Sequence, residues 1–414
     1  MTAECCCIYR VPNDIRRLNE DCFTPKVISI GPFHYGHPRL QDVVMVKRLY
    51  LRQFCQRISS TISLETLVSF VEEIEPSVRL HYSEPIELSP KELVKVILLD
   101  SCFLFELFWG SYYGERNGVI KLKPWQVNTV TIDLLLLENQ LPFPDLQRLY
   151  SRIFPASMAD TLRYPPSFRR LTFDYFTHYN YKKITYEEMT LDHGDVPIWH
   201  FTDLIRTFHL PSLSSQPGRL AKSVTHLRSA TELAEAGVRF RKSKSRSNLL
   251  DFKFSGQILE IPELKVNGLT ETLLRNLVAL EQCHYPFHSY ITDYVAIMDF
   301  LINTSNDVNL LVQEGVITNW LGEPDSAANL FNSLWKNVTH VNFTPHYSDI
   351  CEDLNAFCES PCNNLKATLT HDYCNTPWQC AASIAGVLLL LLSLIQAVSS
   401  ILQVVQQFKQ SSPH

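Results

Sequence analysis

Apolar side chains recur at helical spacing through much of the chain, beginning in residues 40–58. Apolar residues there lie three or four positions apart, which predicts an amphipathic helix with one buried face. The predicted apolar face consists of Val46, Leu49, Tyr50, Phe54 and Ile58. The basic residues predicted to face away from it are Lys47, Arg48, Arg52 and Arg57.

Two further helical regions are predicted in the first half. Residues 89–109 begin with Ser89-Pro90, a capping residue followed by proline at the first turn, and continue into ILLDSCFLFELFW. Because that segment is apolar on most sides, it predicts a buried helix. In residues 125–150, a proline interrupts the apolar run IDLLLLENQLPF. The first helix of a helix–turn–helix is therefore expected to end or kink near Leu141.

The second half combines helices with the clearest β signal in the chain. Ser229 and Glu232 form a capping-box pattern that begins a short helix, and Gly237 is positioned to end it. The segments LLDFKF (249–254) and QILEI (257–261) flank a Ser-Gly pair and predict a two-stranded hairpin. Helical patterns follow at 270–283, 291–302 and 306–312. The predicted fold class is mainly α (α+β), a large helical body with a small β-hairpin element.

The C-terminal region contains a candidate membrane span, since no charged residue or histidine occurs between Asp372 and Lys409. At 1.5 Å per residue, residues 381–405 form a helix of roughly 37 Å, enough to cross a hydrocarbon layer of about 30 Å. A buried core helix is the alternative, but such a helix usually has one polar face. The expected organisation is a globular body in residues 1–375, with a candidate internal boundary in the loop at 209–218, a transmembrane helix at 381–405 and a short tail at 406–414.

The order of segments predicts the side of the membrane on which the body lies. The opening MTAECCCIYRVPND lacks the pattern of a secretory signal, and nine residues follow Val405. We therefore expect insertion by the C-terminal end into the plasma membrane or an endomembrane, with a cytosolic body. The sequons at Asn303, Asn337 and Asn342 indicate the alternative, an extracellular or lumenal body. Polar residues in the span are candidates for contacts with a second copy, which would make a homo-oligomer.

The cysteines leave the same two alternatives open. Five of the twelve lie near the span, at Cys351, Cys358, Cys362, Cys374 and Cys380. They are disulfide candidates outside the cell and buried thiols in a reducing compartment. Their spacing lacks the paired C-x-x-C of a zinc site, so no metal is predicted. A second group, formed by Cys5, Cys6 and Cys7, is a candidate for palmitoylation if the N-terminus is cytosolic.

Composition and charge exclude several classes of function. With 37 Lys and Arg against 43 Asp and Glu, the formal net charge is −6, which gives no global attraction to a phosphate backbone. No nucleic-acid partner is therefore expected. Neither G-x-x-x-x-G-K-[ST] nor G-x-G-x-x-G occurs in the chain. We predict no cofactor, and the expected partners are a membrane and an unidentified protein.

Two polar clusters interrupt apolar segments and supply the candidate site residues. The first consists of Glu138, Asn139 and Gln140 in LLLLENQLPF, and the second of Arg275, Asn276 and Glu281 in RNLVALEQC. Burial of such groups without partners is costly, so hydrogen bonds or ion pairs must satisfy them. We interpret both clusters as a structural polar network, in which Arg275 pairs with a buried carboxylate. The candidate carboxylates are Asp100, Asp133 and Glu138.

Catalytic interpretations have less support. Glu138 and Glu281 are candidates for a pair of acids as in glycoside hydrolysis, but their positions in the sequence do not bring them together. Cys102 is a candidate nucleophile with His34 or His200 as its base, although its apolar neighbours favour an inert buried thiol. We therefore predict that the protein is not an enzyme and assign no catalytic residue.

Ordered motifs extend along nearly the whole chain. They are IYRVP (8–12), VISIGPFH (27–34), LLLLENQLPF (134–143), SATELAEAGVRF (229–240), LEIPEL (259–264), RNLVALEQC (275–283), DFLINTSNDVNLL and the Pro377-Trp378 pair before the candidate span. In this order they resemble a plant family, the one known as domain of unknown function 247. So many motifs in sequence are far more specific than any single one.

The resemblance implies a mostly helical plant membrane protein with one C-terminal span and no established enzymatic activity. It supplies no catalytic residues. Some grass members of this family are recognition determinants of self-incompatibility and act with small secreted proteins, so the resemblance implies a role in protein interaction, recognition or signalling. Two rival hypotheses stay open: an enzyme that uses buried carboxylates and a purely structural membrane protein.

Overall fold

The computed structural model describes residues 6–40, 43–59, 61–114, 122–155, 165–180, 183–193, 197–211, 216, 218, 224, 226–243, 250–339, 342–361 and 377–410. The α-helices in these ranges are α1 (Asn13–Arg16), α2 (Val43–Ile58), α3 (Leu64–Leu80), α4 (Pro90–Tyr112), α5 (Pro124–Asp133), α6 (Phe143–Ile153), α7 (Phe168–Tyr175), α8 (Tyr186–His193), α9 (Phe201–His209), α10 (Ala230–Ala236), α11 (Thr270–His284), α12 (Tyr290–Leu301), α13 (Ser305–Gln313), α14 (Pro324–Leu334), α15 (Pro345–Glu359) and α16 (Pro377–Gln410). The strands are β1 (Arg239–Lys242), β2 (Lys253–Ser255), β3 (Ile258–Ile261), β4 (Leu264–Val266) and β5 (Ile317–Asn319). The predicted mainly α class with a small β element is confirmed.

Helix α4 is the central element of the first half and packs against α2, α3 and α7. The Ser89 side chain accepts from the backbone N–H of Glu92 while the Glu92 side chain accepts from that of Ser89, so the predicted cap is a full capping box. The helix is buried on most sides, as its composition predicts. Its buried carboxylate Glu106 pairs with Arg57 of α2 at 2.7 Å, which joins the two helices.

The boundary of α5 differs from the prediction. The helix ends at Asp133, eight residues before the expected stop at Leu141, and residues 134–142 form a buried series of turns. Side chains replace the helical N–H donors there. Asn139 Nδ2 donates to the Asp133 carbonyl at 2.8 Å, and Gln140 Nε2 donates to the Leu134 carbonyl at 2.7 Å. The polar residues thus end the helix before the proline, because they satisfy carbonyls that a further turn would have satisfied.

Two positions on α2 also differ from the predicted faces. The apolar residues Tyr50, Phe54 and Ile58 are buried as expected, but Leu49 is 46% exposed. Lys47, predicted to face away from the core, is only 5% exposed. Its ammonium group donates to the Ser29 carbonyl and pairs with Asp100. The periodicity did not reveal this partner because Asp100 lies on another helix.

The predicted hairpin is present, and it belongs to a larger sheet. Strands β2 and β3 pair antiparallel, with Phe254 opposite Leu259. The addition is β1, which pairs with β3 in parallel and gives the strand order β1-β3-β2. Strands β4 and β5 form a separate parallel pair. The capping box of Ser229 and the positive φ of 108° at Gly237 confirm the predicted start and end of α10.

One apolar cluster runs through the body and includes residues from both halves, such as Phe105 and Phe201 before the 209–218 segment and Leu277 and Tyr294 after it. A smaller cluster joins the N-terminal segment to the 134–142 turns and to α11. It consists of Val11, Ile15, Cys22, Phe23, Leu137, Ala279 and Leu280. Part of the 209–218 segment lies outside the described residues, and the internal boundary there stays a prediction.

The C-terminal helix α16 contrasts with every helix of the body. Its segment Ile384–Val404 is 21 residues long, has a mean hydropathy of 2.3 and is not buried against any described part of the chain. By length and composition it is sufficient to cross a membrane. The predicted apolar C-terminal helix is therefore confirmed as a helix.

Candidate functional site

An extended segment, residues 26–31, is held in the body almost entirely by side chains. Asp133 accepts from the backbone N–H groups of Lys26, Val27 and Ile28 at 2.9, 2.6 and 2.8 Å. The group that binds this segment, here called the inner clamp, consists of Lys47, Asp100, Asp133 and Asn139. Because buried backbone groups outside regular structure need partners, these contacts explain why polar residues occur in apolar sequence.

The rest of the inner clamp completes this pairing. Asn139 Oδ1 accepts from the Ile30 N–H at 2.6 Å, and Asp100 Oδ2 accepts from the Gly31 N–H at 2.8 Å. Burial raises the pKa of Asp133 to about 6, although its three backbone donors oppose that change. Burial also raises the pKa of Asp100, against the effect of the Lys47 ammonium group. The clamp is closed, with each of its four side chains buried.

Gly31 marks the point at which the segment meets the 134–142 turns. Its φ is +74°, and a Cβ built there would lie 2.3 Å from the Gln140 carbonyl oxygen. That carbonyl accepts from the Tyr82 hydroxyl at 2.7 Å, while Gln140 Oε1 accepts from the Phe201 N–H at 3.0 Å. Only glycine fits this approach, since any side chain would displace the loop.

Glu138 occupies a different environment although it neighbours Asn139. Its Oε1 accepts from the Val11 N–H at 2.9 Å, and its Oε2 faces three donors. These are Arg16 Nη1 at 2.8 Å, Arg10 Nη1 at 3.3 Å and His34 Nε2 at 3.4 Å. We call Arg10, Arg16, His34 and Glu138 the cleft floor. Glu138 itself is 1% exposed, whereas the side chains of Arg10 and Arg16 are 38% and 23% exposed.

The cleft floor lies at the base of an open cleft of about 670 Å³. The residues that line the cleft are Arg10, Val11, Asn13, Arg16, Glu20, Asp21, Thr24, Phe33, His34, His37, Arg39, Glu84 and Glu138. Arg10 lies 4.2 Å above the Phe33 ring, a cation–π contact, and donates to the Phe33 carbonyl at 3.2 Å. Its guanidinium group is also 3.5 Å from Glu84 at the rim.

Electrostatics keep Glu138 charged and His34 neutral. Burial raises the pKa of Glu138, but His34, Arg16 and the Val11 N–H stabilise the carboxylate more strongly and hold that pKa below its ordinary value. Burial lowers the pKa of His34, and the charges of Arg10 and Arg16 lower it further, against the effect of Glu138. At neutral pH the floor therefore holds two guanidinium charges and one carboxylate.

The second predicted polar cluster divides in the structure. Asn276 joins the first cluster, because its Oδ1 accepts from the Leu137 N–H at 2.9 Å and its Nδ2 donates to the Cys22 carbonyl at 2.8 Å. The expected pairing of Arg275 with Asp100, Asp133 or Glu138 is wrong. Arg275 instead contacts Glu271, one turn away on the same helix, at 2.8 Å, and also donates to Ser333. The short-range partner was available on α11 itself.

Glu281 forms a third, fully buried centre. It pairs with Arg206 at 2.9 Å and accepts from the Thr292 N–H and hydroxyl at 2.7 and 2.8 Å. Arg206 also lies 4.1 Å above the Tyr285 ring. Glu281 does not line the cleft that contains Glu138. The arrangement gives a buried ion pair at the start of α12, with no open pocket that both acids share among the described clefts.

The candidate nucleophile Cys102 is enclosed in the core. It is 1% exposed, and burial raises the pKa of its thiol well above the ordinary value. A thiol in such surroundings is unreactive. In the described part of the chain, no group of three or more His, Cys, Asp or Glu residues is arranged to hold a metal ion.

The sequons differ in accessibility. Asn303 and Asn337 are exposed and Asn342 is partly buried. Asn337 has a φ of 61°, and its side-chain amide donates to the Asp14 carbonyl at 2.8 Å, so a glycan there would remove a contact between the two ends of the body. Asn303 is therefore the most open of the three acceptors.

The cysteine groups are only partly described. Cys6 is half-buried, Cys7 is fully buried, and Cys5 lies outside the described residues. Lipidation of Cys7 would require its segment to leave the core. Cys351 and Cys358 are buried free thiols on α15, whereas Cys362 and Cys374 lie outside the described residues and the side chain of Cys380 is not described. Both predictions, lipidation and disulfide bonding, stay predictions.

Sequence reasoning did not assign Arg10 or Arg16 to a site. Arg10 lies in IYRVP and His34 ends VISIGPFH, two of the motifs that carry the family resemblance, and their presence in those motifs was the available signal. The Val11–Glu138 contact spans 127 positions in the sequence, so local patterns did not reveal it.

Comparisons with known proteins agree over most of the chain. The family model DUF247, described as a plant protein of unknown function, matches residues 8–392. The chain is 28% identical to the UPF0481 protein At3g47200 of Arabidopsis thaliana, over 96% of this chain and 87% of that protein. It is 24% identical to the putative UPF0481 protein At3g02645 of Arabidopsis thaliana, over 97% of this chain and 91% of that protein. No solved structure matches the chain at a significant level.

Proposed function

The chain belongs to DUF247, a family of plant proteins of unknown function, and from this premise we propose that it is a single-pass membrane protein whose body recognises another protein. The observation that carries the proposal is helix α16, whose apolar side chains are exposed along the whole of Ile384–Val404. In a bilayer, lipid supplies the contacts that protein does not supply there.

The membrane part of the proposal is tested with the full chain expressed in plant cells. We expect it to stay in the membrane pellet after alkaline carbonate extraction. The double variant Leu390→Lys with Leu394→Lys is expected to move to the soluble fraction, since each lysine near the centre of a span costs about 3 kcal/mol. Gln406→Lys, outside the apolar segment, is the matched control. If the double variant stays in the pellet, the span is not what holds the protein there.

We place the body in the cytosol. The free thiols Cys351 and Cys358 support this side, because buried unpaired cysteines suit a reducing compartment. The alternative is an extracellular body that recognises a small secreted protein, as in a self-incompatibility role. Glycosidase treatment of the full chain beside Asn303→Gln, Asn337→Gln and Asn342→Gln decides between them. We expect no mobility shift, and a shift that Asn303→Gln abolishes would place the body outside the cytosol.

Recognition suits the body better than catalysis. The deeply buried acids Asp133 and Glu281 are engaged by backbone N–H groups or arginine, and the cleft around Glu138 presents arginine, histidine and carboxylate groups at an open surface. Arginine is enriched at the energetic centres of protein interfaces.

The recognition part is tested by mild cross-linking of tagged full-length protein in its native membrane, followed by quantitative mass spectrometry. One plant protein recovered in near-equimolar amount, and lost when an untagged competitor is added, is the expected result. Recovery of the chain alone or only as a homo-oligomer would favour the purely structural role.

A further inference from the structure

We propose that the cleft floor binds an oxyanion, a carboxylate or phosphate group, with Arg10 and Arg16 as its principal ligands. This inference deepens the proposed function, because the oxyanion is expected to be carried by the recognised protein.

The floor has more positive charge than its own carboxylate neutralises. Arg10 and Arg16 both converge on Glu138 Oε2, at 3.3 and 2.8 Å, so two guanidinium groups share a single carboxylate oxygen. The pKa of the neighbouring His34 is lowered in part by the same two charges. The lining as a whole has three arginines and four carboxylates, so a second anion at the floor would take the place of Glu84 beside Arg10, in a partly enclosed cleft where such pairing is stronger than at an open surface.

Hydrogen-bond donors are in excess as well. Arg16 Nη1 and His34 Nε2 both lie within ion-pair distance of Glu138 Oε2, at 2.8 and 3.4 Å, so with Arg10 three donor groups converge on one oxygen. His34 is only 6% exposed. Because Arg16 Nη1 and His34 Nε2 are buried, an oxyanion in the cleft would accept from the exposed parts of the Arg10 and Arg16 guanidinium groups.

The rim supplies a further cationic group, Arg39, and a histidine, His37. Arg39 is exposed, lines the cleft and has no ion-pair partner among the described residues. His37 Nδ1 accepts from the backbone N–H of Arg39 at 3.3 Å, which leaves Nε2 as the ring nitrogen that donates. Both residues are therefore available to donate to a group that enters from solvent.

At the rim of the cleft, the Glu84 carboxylate forms a weak ion pair with Arg10. Glu84 lies 3.5 Å from Arg10 Nε, and its side chain is 54% exposed. Exposed pairs of this kind contribute little, so an incoming oxyanion can replace Glu84 at small cost. Glu20 and Asp21, which also line the cleft, disfavour a ligand that is acidic over a broad surface.

The test uses the full chain in detergent, with inorganic phosphate and acetate as probes and sodium chloride to keep ionic strength constant. We expect the thermal unfolding midpoint to rise in a saturable manner with phosphate and, less, with acetate. Arg16→Gln is expected to weaken phosphate binding about tenfold or more, because it removes a charge-assisted donor. Arg48→Gln, on the exposed side of α2 outside the cleft, is the matched control and should bind phosphate as the parent does.

A second variant keeps the test valid if Arg16→Gln does not fold. Arg39→Gln changes an exposed side chain at the rim and is expected to weaken phosphate binding several-fold without altering stability. The inference is overturned if phosphate gives no effect beyond that of chloride, or if Arg16→Gln and Arg39→Gln bind phosphate like the control variant.

The source of the oxyanion is decided with the cross-linked partner. If the partner carries it, phosphate should release the partner and Arg39→Gln should reduce its recovery. A partner recovered equally with Arg39→Gln would remove this inference and leave the proposed function intact. Arginine-dependent phosphate binding without any protein partner would retain the site, identify a free small anion as its ligand and remove the proposed recognition role.

Discussion

The inner clamp and the cleft floor each contain a buried carboxylate, Asp133 at the end of α5 and Glu138 in the middle of the 134–142 turns. Asp133 and Glu138 both bind the N-terminal segment through backbone N–H groups. Asp133 accepts from backbone donors alone, and burial raises its pKa to about 6. Glu138 also faces two arginines, and its pKa is held below the ordinary value.

The contrast separates polar groups that hold the fold together from polar groups that are candidates for binding a ligand. In the inner clamp the two carboxylates accept from backbone N–H groups, Asp100 also pairs with Lys47, and all four side chains are buried. At the cleft floor, donors exceed what one carboxylate can accept, and the arginines keep contact with solvent. Burial of an acid alone therefore does not identify a site, whereas an excess of donors beside an open cleft does.

The largest expected loss of stability comes from Gly31→Ala, which displaces the segment that the inner clamp binds. In Gly31→Ala the new Cβ would lie 2.3 Å from the Gln140 carbonyl, at a φ of +74°. We expect a loss of about 4 kcal/mol or more in the free energy of unfolding, because the backbone of the loop must move. Urea unfolding of the full chain in detergent measures it.

Gly36→Ala is the matched control, since Gly36 has a φ of +76° and no atom lies within 4 Å of its built Cβ. Only the backbone strain should appear, about 1–2 kcal/mol. Equal losses in the two variants would mean that the close approach of Gly31 to Gln140 does not hold the clamp.

The next largest change in stability is expected from Asp133→Asn, and it depends on pH. In Asp133→Asn an amide N–H replaces an oxygen that accepts from Val27 and Ile28, and we expect a loss of about 2 kcal/mol at pH 4. Because the folded pKa is raised to about 6, the folded state retains this proton and the parent loses stability as pH rises from about 4 to about 6. The loss amounts to roughly 3 kcal/mol, so the variant should approach or exceed the parent at pH 8. A cost that grows with pH would contradict this assignment.

Glu138→Gln should behave in the opposite manner. The variant keeps an acceptor for the Val11 N–H and leaves Arg10 and Arg16 partly solvated, so we expect a loss of only about 1–2 kcal/mol at pH 7. Because the folded pKa is lowered, the contribution of Glu138 is present above the unfolded pKa of about 4.3 and disappears as pH falls through the folded value. Parent and variant should therefore converge as pH falls below the folded pKa of Glu138. Glu73→Gln, which removes an exposed partner of Arg152, is the control and should leave stability unchanged.

Local patterns in the sequence predicted what neighbouring residues decide. The capping boxes at Ser89 and Ser229 and the β2–β3 hairpin each depend on residues a few positions apart. The end of α5, the burial of Lys47 and the gathering of Arg10 and Arg16 on Glu138 depend on residues from distant parts of the chain. Propensity and periodicity contain no information on such pairs, so the composition of the site had to come from the structure.

Glu84→Gln is expected to change stability least, and it best distinguishes the cleft floor from the inner clamp. Glu84→Gln removes a half-exposed carboxylate 3.5 Å from Arg10 and is expected to change stability by no more than about 0.5 kcal/mol. If the cleft floor has a spare positive charge, this variant should bind phosphate more tightly than the parent, since the competing anion is gone. The inner clamp permits no such gain, because removal of any of its carboxylates leaves backbone N–H groups unsatisfied. Phosphate titration of Glu84→Gln beside the parent measures the difference, and weaker binding in the variant would mean that Glu84 orients Arg10 rather than competes for it.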